Sequence, residues 1–140
     1  MTILSEDMRS EAVRVSLIVA GQKMCPEFIS EKLGLKSTKQ FVLGKPKDKK
    51  HPNVLAKTSF WRLDAEDDTL GVDEQVEMLL VKLSKIDFCI GDLPDVEHAI
   101  FYIFVAACDE SGEEVSVQTV IPLKNLKRIC ILGLELSITC

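Results

Sequence analysis

Nine consecutive apolar residues, AIFYIFVAA at 99–107, constrain this chain more than any other feature. The run falls well short of the roughly 20 residues that a helix needs to cross a bilayer. It fits a strand buried on both faces in the middle of a sheet. The 140 residues are 46 % hydrophobic with only 7 Gly and 5 Pro, enough to build one core and far from a disordered or low-complexity composition. A single domain over 1–140 is expected, with a polar lead at 1–11. Acids rather than Lys or Arg near the N-terminus argue against a secretory signal, so a cytoplasmic protein without a membrane segment is expected.

The other elements follow from periodicity. Val13, Val15, Leu17 and Val19 alternate as in a strand with one buried face, which Gly21 ends. Pro26 and Glu27 open a short helix that Gly34 closes. Residues 36–57 form an exposed basic loop broken by Gly44, Pro46 and Pro52, with an extended edge segment at 41–43. TSFWRL at 58–63 reads as a strand. Val72, Val76, Leu79, Leu80, Leu83 and Ile86 recur at helical spacing, with Asp73, Glu74 and Glu77 leading and Lys82 and Lys85 trailing. The run 99–107 and the alternating Val115, Val117, Thr119 and Ile121 form a hairpin. Pro122 then starts a third helix that Gly133 caps, and Leu134, Leu136 and Ile138 make a last strand. The order β-α-β-α-β-β-α-β predicts an α+β fold, a two-layer sandwich with a mainly antiparallel sheet of about five strands and three helices. A faint internal echo accompanies it: strand, short helix and Leu33-Gly34-Leu35 return as strand, short helix and Leu132-Gly133-Leu134.

In order and spacing the chain resembles a small bacterial family known only as domain of unknown function 4279. The resemblance rests on Gly21, Pro26-Glu27-x-Ile29-x-x-x-Leu33-Gly34-Leu35, Ser37-Thr38-Lys39, Gly44-Lys45-Pro46, Phe60-Trp61-Arg62-Leu63, the acid-led helix and Leu132-Gly133. It covers most of 12–139. Lys39, Phe60 and Thr139-Cys140 depart from the family pattern, which bears on ligand contacts at the loop more than on the fold. The resemblance implies no established catalysis. Some members of that family look like the protective partners encoded beside secreted toxins, as in contact-dependent growth inhibition.

No nucleophile elbow, zinc-helix motif or phosphate-binding glycine loop occurs, and the adjacent acid pairs lie in polar loops, so no catalytic residue, metal or cofactor is expected. The five cysteines read as reduced core thiols, Cys25 included, despite its place before a helix start. His98 reads as a structural residue at a strand edge and His51 as solvent-exposed. Trp61 reads as core.

The anomaly is charge. Residues 1–62 hold 12 Lys+Arg and 6 Asp+Glu, whereas 63–140 hold 5 and 16. No Lys or Arg lies between Lys85 and Lys124. If the loop 87–97 and the turn 109–114 meet on one side, Asp92, Asp95, Glu97, Asp109, Glu110, Glu113 and Glu114 make an acidic surface for a basic partner. Alternatively, the basic loop 36–50 folds over these acids and neutralises them. The leading expectation is therefore a non-enzymatic immunity protein that neutralises a cognate toxin, a basic nuclease, as a monomer or weak homodimer with no nucleic-acid or membrane partner. The alternative is a regulatory or ligand-binding domain with Lys39, Trp61 and Arg62 lining a cleft between sheet and helices.

Overall fold

A computed structural model describes residues 9–66, 70–109 and 120–139. In chain order these form β1 (Arg9–Gly21), α1 (Pro26–Leu33), β2 (Lys39–Phe41), β3 (Ser59–Asp64), α2 (Val72–Lys82), a single 3-10 turn (Ile90–Asp92), β4 (His98–Asp109), α3 (Leu123–Ile131) and β5 (Glu135–Thr139). The five strands make one sheet in the order β2-β3-β1-β4-β5. All neighbours are antiparallel except β4 and β5, which run parallel with α3 as their crossover. The α+β class, the three helices and the mainly antiparallel five-stranded sheet agree with the sequence. The hairpin strand expected at 115–121 lies outside the described residues, apart from Val120 and Ile121, which are irregular. Within the described chain the fifth strand is the short edge β2, two residues before the segment anticipated at 41–43.

Local chemistry sets the helix ends. α1 begins at Pro26, whose missing N–H costs nothing at a first turn, and stops where Gly34 takes φ 68 and Leu35 N–H returns to Ser30 O at 3.1 Å. α3 stops in the same manner: Gly133 has φ 71 and Leu134 N–H returns to Ile129 O at 3.2 Å. Each Leu-Gly-Leu exit leads to an edge strand, one on either side of the sheet, so the helix-and-exit part of the internal echo has a structural counterpart. α2 ends at Lys82 rather than at Ile86, because the backbone tightens through Leu83 into a turn closed by Ile86 N–H to Leu83 O. Leu83 and Ile86 stay buried across that turn.

One apolar cluster fills the space between the helices and one sheet face. Val15, Leu17 and Val19 of β1, Trp61 and Leu63 of β3, and Phe101 and Ile103 of β4 meet Ile29, Val76, Leu79 and Ile129 from the helices. Trp61 is fully buried and its Nε1 donates to Ser30 Oγ at 2.8 Å, as its strand position predicts. The thiols differ from expectation: Cys25 and Cys130 are exposed and Cys89 is half-buried. Cys25 stands before α1, outside the layer contact, and Cys130 lies on the outer flank of α3, so neither reaches the core. Cys140 lies outside the described residues.

Candidate functional site

Among the described residues the apolar run in β4 is fully buried on one face only. Ala99, Phe101, Ile103 and Val105 are buried against the helices, whereas Ile100, Tyr102 and Phe104 on the opposite face are only partly covered. None of these three packs against the helix-side core. Burial on both faces, expected from the unbroken run, is therefore not what β4 shows: the helices form a single layer, and no described element lies over the second face.

Strand register identifies what shares that open face. Ile18 stands between Arg62 and Ile100, Ser16 between Asp64 and Tyr102, and Arg14 beside Phe104. On the far side, Lys39 pairs with Arg62 and Phe41 with Phe60. The Phe41 and Phe60 rings stack, 4.6 Å between centroids and 6° between planes, and Lys47 Nζ lies 5.8 Å above the Phe41 ring. Asp64 is fixed at the centre. It accepts from Ser16 Oγ at 2.6 Å and lies 2.9 Å from Arg62 Nε, a buried nitrogen whose N–H is not aimed at that oxygen. The pair is ionic in character and leaves the guanidinium with unused donor capacity.

The loop 42–57 leaves the β2–β3 end of the sheet as a projecting lug. Its two limbs join through Gly44 N–H to Ala56 O, Ala56 N–H to Lys45 O and Lys47 N–H to Val54 O. Gly44 has φ 80, a left-handed conformation that a side chain would strain. The lug presents Lys45, Lys47, Lys49 and Lys50 together with exposed Val42, Leu43, Val54 and Leu55. At its tip the His51 ring hydrogen-bonds to Asp48 and holds that carboxyl below the usual aspartate range.

Asp92, Asp95 and Glu97 lie exposed in a loop at the same end of the sheet, beside the last residue of β1 and the first of β4. That loop is pinned. Ile90 is fully buried and its N–H reaches Leu132 O at 2.8 Å; Glu97 N–H reaches Ala20 O at 2.9 Å; and Glu97 Oε2 accepts from Gln22 N–H at 2.8 Å. Asp95 takes φ 65, and its carbonyl stands so close to Gly21 that no Cβ fits there. Asp109, by contrast, ends β4. Eleven residue steps at a strand rise of about 3.4 Å put roughly 37 Å between the two ends of β4. The acids on either side of this strand therefore do not meet: Asp92, Asp95 and Glu97 are gathered, and Asp109 is at the far end. Glu110, Glu113 and Glu114 lie outside the described residues. Among the described residues no ion pair joins the lug lysines to the 87–97 loop, so the basic loop does not neutralise these acids.

Lys39 and Arg62 are neighbours on the open face, but Trp61 points the other way into the core, so the three do not line one cleft. The alternation BiBiBi of β3 carries this: residue 61 is opposite in orientation to 60 and 62. His98 begins β4, exposed, on the open face beside Ala20. Among the described residues no cluster of His, Cys, Asp or Glu could hold a metal, and no helix is long and apolar enough to cross a membrane.

Fold and site together define a two-layer α+β domain whose second sheet face, over which no described element lies, carries partly exposed aromatic and aliphatic side chains and is flanked by a basic lug and a small acidic loop. The chain belongs to the family described as domain of unknown function DUF4279, whose model matches residues 11–140. Comparison with curated proteins and with solved structures gave no match.

Proposed function

We propose that this chain is a non-enzymatic binding protein that holds a partner protein against the open face of its sheet and neutralises it, the partner being a basic toxin. One observation carries the reading. Ile100, Tyr102 and Phe104 belong to a strand whose composition suits double coverage, yet within the described residues only one face has a cover. A partly exposed apolar surface on a rigid sheet, rimmed by charge, is the pattern of a protein contact rather than of a solvated face. The flanks supply orientation. Asp92 and Asp95 offer carboxylates to Lys or Arg of the partner, in place of phosphates, while Lys39 and the lug meet its acidic rim.

The decisive experiment is growth protection against the product of the gene immediately upstream, joined to binding measurements on the purified pair. Ile100→Asp and Phe104→Asp, both partly exposed positions, are expected to weaken binding at least tenfold through faster dissociation. Asp92→Asn with Asp95→Asn is expected to slow association and flatten its salt dependence. Full protection by the open-face variants, or no protection by the unaltered chain, overturns the proposal.

A further inference from the structure

Apart from Val81 on α2, the exposed large aliphatic side chains among the described residues fall in two regions, the lug and the segment that carries α3 and β5. In that segment Leu123, Leu126, Leu136 and Ile138 are 66, 37, 38 and 45 % exposed. We propose that this second region is where the chain associates with a copy of itself. Two β5 strands pair edge to edge, antiparallel, about a two-fold axis at Ser137, and the α3 helices pack beside them.

The helix geometry aims the apolar stripe at that edge. At about 100° per residue, Leu126 and Leu123 lie roughly 60° and 120° to one side of buried Ile129. Asn125 and Arg128 lie on the other side, where they reach α2: Asn125 Nδ2 donates to Glu77 Oε1 at 2.9 Å, and Arg128 donates to Leu83 O at 3.0 Å and Ile86 O at 3.1 Å. The stripe thus faces away from α2 and outward across β5. Leu136 and Ile138 stand in register with fully buried Phe101 and Ile103, on the helix side of the sheet, so strand and helix residues line one shelf along the outer edge of β5.

A second copy fits this edge for two reasons. Among the described residues β5 is the outermost strand on its side of the sheet, and its sequence ELSIT has no Lys or Pro to discourage pairing. The opposite edge is blunted: β2 has three residues, begins with a lysine and runs straight into the lug. Paired about Ser137, Glu135 meets Thr139 and Leu136 meets Ile138 of the other copy. The only charge on the strand never faces its own kind, which matters for a chain of net charge −5. The arrangement is isologous and closes at two copies.

Sedimentation velocity of the full chain from micromolar to submillimolar concentration is expected to show the mass doubling from 15.6 kDa. Ile138→Lys and, separately, Leu126→Lys are expected to hold the protein at the single-chain mass, while Val54→Lys on the lug changes nothing. Opposed Ser137 residues would place Cα atoms about 4.5–5.5 Å apart, within disulfide reach. Ser137→Cys should therefore yield a 137–137 crosslink under mild oxidation, located by peptide mass, and Thr139→Cys should yield no 139–139 link. A single-chain mass at every concentration, a dimer that survives Ile138→Lys, or an absent 137–137 link overturns the proposal.

Discussion

Gln75 offers the sharpest test of how the two layers are joined. It sits on the apolar side of α2, 2 % exposed, and completes the backbone of β1 where β3 has run out. Its Oε1 accepts from Val15 N–H at 3.3 Å, and its Nε2 donates to Val13 O at 3.1 Å and to Leu70 O at 2.9 Å. Gln75→Leu keeps the bulk but orphans two groups buried in the interior, Val15 N–H and Val13 O. At about 1–3 kcal/mol each, the loss is roughly 2–6 kcal/mol. Against a total stability on the order of 5–15 kcal/mol this is a large fraction, and it lowers Tm by on the order of 10 °C.

Gln75→Glu gives the control. Its carboxylate still accepts from Val15 N–H but points a negative charge at two carbonyls, whereas its protonated form recovers one donor. Burial and those carbonyls raise its folded pKa above the unfolded value of about 4.3. The folded variant then binds more protons than the unfolded one, so its stability is greatest below about pH 4.3 and falls as pH rises towards the folded pKa. Urea unfolding followed by the fluorescence of Trp61, the single and fully buried tryptophan, measures both variants. A Gln75→Leu cost below about 0.5 kcal/mol, or a Gln75→Glu penalty no larger at pH 8 than at pH 5, would refute the assignment of Gln75 as a surrogate strand for β1.

Two further perturbations probe the site and the core. Gly21→Ala drives a methyl into the Asp95 carbonyl and is expected to cost about 1–3 kcal/mol, with amide shifts concentrated in 93–98; a neutral variant would mean the acidic loop is not pinned there. Trp61→Phe removes the bond to Ser30 Oγ and leaves unfilled volume, an expected loss of about 1–3 kcal/mol. The double variant with Ser30→Ala should lose less than the sum of its parts, and strict additivity would count against that bond.

Much of the scaffold could be read directly from residue chemistry. Pro26 and Gly34 bound α1, the acid-to-base gradient marks α2, and Trp61 declares the buried side of β3. The open face could not be read in the same way, because an apolar run such as 99–107 has no period and so carries no information about which side is covered. The scattering of the acids was legible in principle: residues 97 and 109 flank one long strand, and a strand of that length holds its ends apart. Gln75 also left a trace, being the polar residue on a helix face otherwise made of Val72, Val76 and Leu79. Cys25 and Cys130 left none, since a thiol is as compatible with a loop or a helix flank as with a core.

The pairing of β1 with β4 sets a condition on how the chain can acquire its structure. Every residue of 9–20 in β1 finds its β4 partner far downstream: His98 lies 78 positions beyond Ala20, and Asp109 lies 100 beyond Arg9. Loops that long are slow to close, and little reward comes until they do. On a ribosome, β1 therefore emerges long before its partner and waits, the edge that faces β4 unsatisfied, until residues 98–109 have followed it.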